Sequence, residues 1–302
     1  MRKVRITLPA SLTNLGPGTS TLGLALGLHT TVEISERADN QLIVDTEGEG
    51  SGRYSTGLRH PVTLALIRIF QKLERAPVGI HIKINNQIPL DSGLGAESAF
   101  LAAGVIGANN LLGGAYTREH LLEIAAQISK KPDSVIASLL GGLTTGLLDG
   151  DQLVYKTLPV KSLRVVVALP ELDDYPSRSL APERVPLADA LYNLQRVPLL
   201  IEALRTGDMK LIGKVLDDRL NAPFYTPRIF GYKQATEIAR RAGALAVTLS
   251  GDGPALVAFA EVNHSPIAEA MVAAFESVGV KARSWVLPID TQGVVISVVQ
   301  SA

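Results

Sequence analysis

The chain has no cysteine among its 302 residues. That excludes disulfides, thiolate metal sites and a cysteine nucleophile, and it fits a reducing compartment. An excess of either charge is also missing: 29 basic residues balance 29 acidic ones, so there is no basic footprint for nucleic acid. No apolar run approaches the ~18–20 residues of a membrane span. Arg2, Lys3 and Arg5 stand at the N-terminus, but Pro9 follows too soon for the apolar stretch of a secretory leader. The expected setting is cytoplasmic, with a small-molecule partner and neither nucleic acid nor membrane.

Several catalytic signatures are absent as well. There is no Gly-x-x-x-x-Gly-Lys-Ser/Thr, so the chain has no Walker-type nucleotide site. Gly93-x-Gly95 is followed by Ser98 where a dinucleotide fingerprint has its third glycine, and Gly-x-Ser-x-Gly does not occur. The histidines at 29, 60, 81, 120 and 264 show no paired metal spacing, and His29 and His81 fall in strand patterns that suit surface or structural roles. No repeat or low-complexity segment appears.

At 46% hydrophobic and 19% charged residues, the chain can bury an ample core and has the length of two domains. The boundary is expected near Pro159, giving domains 1–158 and 159–302. Alternation of Val4, Ile6 and Leu8 predicts a strand, followed by a polar turn over Pro9–Gly18 that places Asn14 between strands. A helix is expected from Pro61, a strand through Val78, Ile80, Ile82 and Ile84, and helices after Gly95 and Thr117. Val135–Leu140 forms a short apolar segment, and Asp149-Gly150-Asp151 a hairpin turn. The second half predicts a strand at 163–169 and helices at 186–205, 208–220 and 230–242. Strands at 245–250 and 255–260, a helix at 265–278 and two last strands complete it. That order predicts an α+β fold, a sheet with helices on one face.

Pro89-Leu90-Asp91-Ser92-Gly93-Leu94-Gly95-Ala96-Glu97-Ser98 therefore joins a strand to a helix. Gly93 and Gly95 let backbone come close to a ligand, and the first helical N–H groups carry the positive end of the dipole, which suits phosphate. The same glycines could serve only as turn residues.

Three glycine-bearing segments occur in a definite order: Pro9-Ala10-Ser11-x-x-Asn14-Leu15-Gly16-Pro17-Gly18, Ile88-Pro89-x-x-x-Gly93-Leu94-Gly95 and Leu249-Ser250-Gly251-x-Gly253-Pro254. In order and spacing they resemble the GHMP small-molecule kinases. Pro132-Asp133 ahead of Leu140-Gly141-Gly142, and Asp189-Ala190-x-x-Asn193-Leu194, are similar to the homoserine kinase branch. The likeness spans essentially the whole chain. It implies a two-domain GHMP kinase fold, with an N-terminal domain like ribosomal protein S5 domain 2 and a ferredoxin-like C-terminal domain. It further implies ATP and Mg²⁺, with phosphoryl transfer to a small alcohol, nominally L-homoserine in threonine biosynthesis, and a possible homodimer.

On that resemblance ATP contacts Pro89, Gly93, Leu94, Gly95, Ala96, Glu97 and Ser98, while Gly251 and Gly253 close over the site. Asn14, Ser20, Lys131 and Arg178 surround the acceptor, with Asp133 as the catalytic acid–base group; Asp133 has an equally good structural role as N-cap of the segment starting at Val135.

The chain also departs from the family pattern. Gly-Leu-Gly continues with Ala96-Glu97 instead of two serines. Thr19-Ser20 stands where an aspartate holds the substrate ammonium, a charge-assisted contact worth roughly 1.5–3 kcal/mol. The family's metal-binding glutamate aligns with Ser129, and its carboxylate-binding arginine falls around Tyr225. Glu97, with Ser98, is the candidate replacement as metal ligand, because Mg²⁺ takes one or two carboxylates plus phosphates. Its alternative is a helix-start glutamate favoured by the dipole. A kinase for another, anionic alcohol and a non-catalytic homologue remain the alternatives to homoserine phosphorylation.

Overall fold

The computed structural model describes residues 2–54, 57–176, 180 and 182–300, with backbone alone for 298–300. In chain order the strands are β1 (Arg2–Leu15), β2 (Gly18–Arg37), β3 (Leu42–Gly48), β4 (Gly79–Asn86), β5 (Leu143–Asp149) and β6 (Gln152–Leu158). They continue with β7 (Arg164–Pro170), β8 (Ala246–Leu249), β9 (Leu256–Phe259), β10 (Ala282–Pro288) and β11 (Val295–Gln300). The helices are α1 (Pro61–Leu73), α2 (Ala96–Leu111), α3 (Arg118–Ser129), α4 (Pro132–Leu140) and α5 (Leu187–Thr206). Four more follow: α6 (Met209–Val215), α7 (Ala222–Tyr225), α8 (Tyr232–Arg241) and α9 (His264–Glu276).

The first sheet runs β11-β1-β2-β4-β3, with β5 on β2 and β6 on β5. Strand β2 is long enough to serve two neighbours: Leu22–Leu24 pair with β5 and Thr30–Arg37 with β4. The last strand returns to pair antiparallel with β1, so this sheet is completed from the far end of the sequence. Helices α1, α2 and α4 cover it. Helix α2 is buried on nearly every side, which explains why Ala and Gly dominate it and why its apolar residues form no stripe.

The second sheet has the order β10-β7-β9-β8, all antiparallel. With the helices between β7 and β8 and α9 between β9 and β10, this is the split βαββαβ arrangement of a ferredoxin-like domain. Helices cover both faces, where one was expected. Strand β7 shows how its period of two divides the core. Val166 and Ala168 pack with Ala235, Ala239, Met271 and Phe275 of α8 and α9. Val165, Val167 and Leu169 join Leu204 and Ile212 of α5 and α6, in a core continuous with that of the first sheet.

Two local expectations change. The segment after Leu8 stays in the sheet: Ala10–Thr13 pair with Leu26–Gly23 of β2, and the register slips at Pro9, which a bulge tolerates. The turn is therefore confined to the hairpin tip. Helix α4 begins at Pro132, the residue best suited to a first helical position, so Lys131 is its N-cap and Asp133 lies inside the first turn. His29 and His81 pair with Asp290 and Asp45, each at 2.7 Å.

Candidate active site

Three loops and one helix start converge where the two sheets meet. Ser11 N–H donates to Leu94 O at 3.0 Å, tying β1 to the glycine loop. Gly251 N–H donates to Thr13 O at 2.8 Å and Ala255 N–H to Ser92 O at 3.1 Å, bringing the β8–β9 loop onto both. Ser250 Oγ donates to Gly93 O at 2.8 Å, and Ser11 Oγ lies 2.7 Å from Ser134 Oγ on α4.

The glycines are needed for this convergence. Gly93 (φ +82°) presses its Cα face against Ser250 and Gly253, and Gly95 (φ +80°) presses against Ser11 and Ser134. A Cβ at either position would meet protein atoms, so the close approach that glycine permits here is between segments of the chain itself. Ser92 fixes the loop from within: its Oγ donates to Pro89 O at 2.7 Å and accepts from Leu94 N at 3.2 Å.

Unpaired backbone donors remain at the start of α2. Gly95 is its N-cap and offers no side chain. Among the described residues, the N–H groups of Gly95, Ala96, Glu97 and Ser98 have no acceptor. Four unpaired donors at the positive end of a 16-residue helix form an anion site.

Pro89, Leu94 and Ala96 bury their side chains and offer only backbone to a nucleotide. Ser98 is buried, with Oγ 3.0 Å from Ser129 Oγ. Glu97 is exposed, and its charge reaches Tyr54. Among the described residues no three His, Asp or Glu side chains group as a metal cage. Ser98 and Glu97 place one hydroxyl and one carboxylate in the first turn of α2 beside the unpaired donors, oxygen groups of the kind a magnesium ion brought in on phosphates takes.

Asp133 is 6% exposed, and its Oδ1 accepts from Ser134 N at 3.0 Å. Burial pushes its carboxyl up to about 6, against the opposing pull of that N–H and of Lys131, with Asp252 adding to the rise. Asn14 (φ +49°) is committed at both ends of its amide: Oδ1 accepts from Ser20 N at 2.8 Å and Nδ2 donates to Asp252 Oδ1 at 3.2 Å. Lys131 Nζ lies 3.8 Å from Asp252 Oδ2. Gly251 and Gly253 frame Asp252, whose carbonyl accepts from the Tyr175 hydroxyl, while Asn221 Nδ2 donates to Gly251 O at 3.2 Å. Arg178 lies outside the described residues.

Sequence reasoning passed over Ser11, Ser92, Ser134 and Asp252. Asp252 had a signal, since it is the variable position between the two glycines of the third motif. Ser92 had a weaker one, as a hydroxyl residue directly before a loop glycine. Ser11 and Ser134 are 123 residues apart and meet only in the fold.

A bare helix start and a buried carboxyl of raised pKa, set where two α+β sheets meet, suit a phosphotransferase for small molecules. The chain belongs to the GHMP kinase family. The family's N-terminal domain model matches residues 62–142 and its C-terminal model matches 200–280. The chain is 38% identical over 279 residues to a homoserine kinase of Moorella thermoacetica, covering 91% of this chain and 94% of the relative. A homoserine kinase of Carboxydothermus hydrogenoformans is 32% identical, with 92% of each chain covered. The crystal structure of homoserine kinase from Cytophaga hutchinsonii superposes with a TM-score of 0.85 at 25% identity, covering 98% of this chain and 97% of that one.

Proposed function

We propose that the protein transfers the γ-phosphoryl group of ATP to the side-chain hydroxyl of L-homoserine, giving O-phospho-L-homoserine and ADP. The observation that carries this reading is the unpaired α2 start in a chain similar along nine-tenths of its length to homoserine kinases. The N–H groups of Gly95 to Ser98 hold the phosphates, and the packed glycine loop keeps them aimed. Asp133 accepts the proton of the attacking hydroxyl as the new P–O bond forms and the bond to ADP breaks. A carboxyl with a pKa of about 6 is largely ionised at pH 7 and still basic enough for that task. Because the transition state is loose, most of the acceleration comes from alignment and charge neutralisation. Magnesium held by Ser98 and Glu97 would neutralise charge on the phosphates. The cytoplasm, where ATP is supplied, is the place proposed for this reaction.

The test is to incubate the protein with Mg-ATP and L-homoserine and follow products by ³¹P NMR. O-phosphohomoserine and ADP should appear one for one. Asp133→Asn should lower kcat about a hundredfold, within the range for removing a general base, with little change in KM. Mg-ATP that stabilises the fold while homoserine yields no product would point to another alcohol. No thermal shift with either would point to a non-catalytic homologue.

A further inference from the structure

The cleft holds one ion pair that phosphoryl transfer, as described, does not use. Lys131 projects from the α4 N-cap and Asp252 from the β8–β9 loop, and their side chains are 63% and 36% exposed, open to a solute. At 3.8 Å they are farther apart than a hydrogen-bonded ion pair, typically 2.7–2.9 Å. Lys131 is a long, flexible arm. Asp252 is fixed. Ser20 N–H sets the direction of the Asn14 amide, whose NH₂ end then holds Asp252 Oδ1. Tyr175 and Asn221 pin the backbone on either side. One carboxylate oxygen is thus occupied and oriented, and the other faces a loosely held cation.

An α-amino acid carries an ammonium and a carboxylate on one carbon, the complement of a separable lysine–aspartate pair. We propose that the acceptor inserts between these two side chains, with Asp252 as the specificity-determining residue for its ammonium and Lys131 binding its carboxylate. Asn14 is then a positioning residue acting through Asp252. Lys131 precedes Asp133 by two residues at the start of α4, so an acceptor held by this pair lies in the neighbourhood of Asp133. This inference rests on the homoserine reading above.

The decisive variant is Asp252→Asn, which keeps size and the Asn14 contact while removing the charge. Two constants are measured: KM for L-homoserine, and the inhibition constant of 4-hydroxybutanoate, which has the same hydroxyl and carboxylate but no ammonium. The expected result is a ten- to hundredfold rise in KM for homoserine with kcat within a few-fold. The inhibition constant of 4-hydroxybutanoate stays within about twofold. Asp252→Glu should recover part of the homoserine KM, and Lys131→Met should weaken both compounds together. Equal weakening of both compounds in Asp252→Asn, or of neither, overturns the proposal, since a residue that only ties the loops cannot tell one from the other. Failure of the homoserine reading is separate and is seen first, as a wild-type protein that makes no O-phosphohomoserine.

Discussion

Helices α1 and α2 pack against each other and begin in opposite ways. The start of α1 is closed. Pro61 has no N–H to satisfy, and the Nδ1 of its N-cap His60 accepts from Val62 N at 3.2 Å. The ring is 1% exposed, with Tyr54 at 4.5 Å and Phe100 at 4.9 Å. The start of α2 is open, with a side-chain-free N-cap in left-handed backbone and four unpaired donors. Capping typically contributes about 1 kcal/mol. Helix α1 has a proline and a capping ring at its start, and α2 has neither, so a ligand can supply acceptors at α2 that the chain itself does not. The bare start of α2 lies beside the converging glycine segments, and that position supports the phosphate role proposed for it.

Gly95→Ala would break the contrast most severely. The new Cβ would lie 2.8 Å from Ser134 Oγ and closer still to Ser11, in backbone at φ +80°. Backbone strain and overpacking together should destabilise the fold by about 3 kcal/mol in urea titration. Calorimetry should show Mg-ATP binding at least tenfold weaker in the molecules that remain folded. Undiminished affinity per folded molecule would mean that α2 opens on a mere turn.

The closed start makes its own prediction through pH. Burial lowers the His60 pKa from 6.5 to about 4, so the unfolded chain takes up a proton that the folded one refuses. The stability from keeping this ring neutral is complete above pH 6.5 and is lost as pH falls toward 4, by about 3 kcal/mol. Asp133 acts in the opposite sense. Its raised pKa makes stability greatest below pH 4 and lowers it by about 3 kcal/mol as pH rises to 6. In the wild type these two slopes oppose each other between pH 4 and 6. His60→Asn, which retains a capping side chain, should leave stability falling with rising pH across that window relative to wild type. Asp133→Asn should leave it falling with decreasing pH. Parallel curves for wild type and His60→Asn would show that the ring is not desolvated as its position indicates.

Much of this was legible in the sequence because it rests on local rules. The alternation of Ile80, Ile82 and Ile84, the two-residue turn at Gly150-Asp151 and the three glycine segments each signal their structure within a few residues. The order of strands and helices after residue 163 pointed to an α+β layer, and the resemblance to the GHMP kinases implied that it is ferredoxin-like. Contacts between distant segments were not legible. Nothing local marks Ser11 as the partner of Ser134, or Asn14 as the holder of a carboxylate 238 residues away. Pro9 misled as a turn residue because a bulge in an inner strand can accommodate it, and only the pairing with β2 reveals that bulge. The glycines of the 93–95 loop were expected to let backbone approach a ligand, whereas their bare faces pack on the chain itself and the unpaired donors belong to the helix start behind them.

The subtlest test of the open start concerns Glu97, which puts a negative charge in its first turn. On the magnesium role proposed for it, that carboxylate would repel a free triphosphate and become a ligand once magnesium is present, opposing ATP and favouring Mg-ATP. Glu97→Gln should therefore tighten ATP binding when magnesium is chelated and weaken it when magnesium is in excess. At an exposed position each effect is only on the order of 1 kcal/mol, so the ratio of the two affinities, which combines both, should fall about thirtyfold. Calorimetric titration with and without a chelator measures that ratio directly. An unchanged ratio would make Glu97 a helix-start charge favoured by the dipole alone, leaving Ser98 as the magnesium ligand of the pair. Tighter binding under both conditions would mean that Glu97 only repels the nucleotide, and that the open start grips phosphate in spite of it.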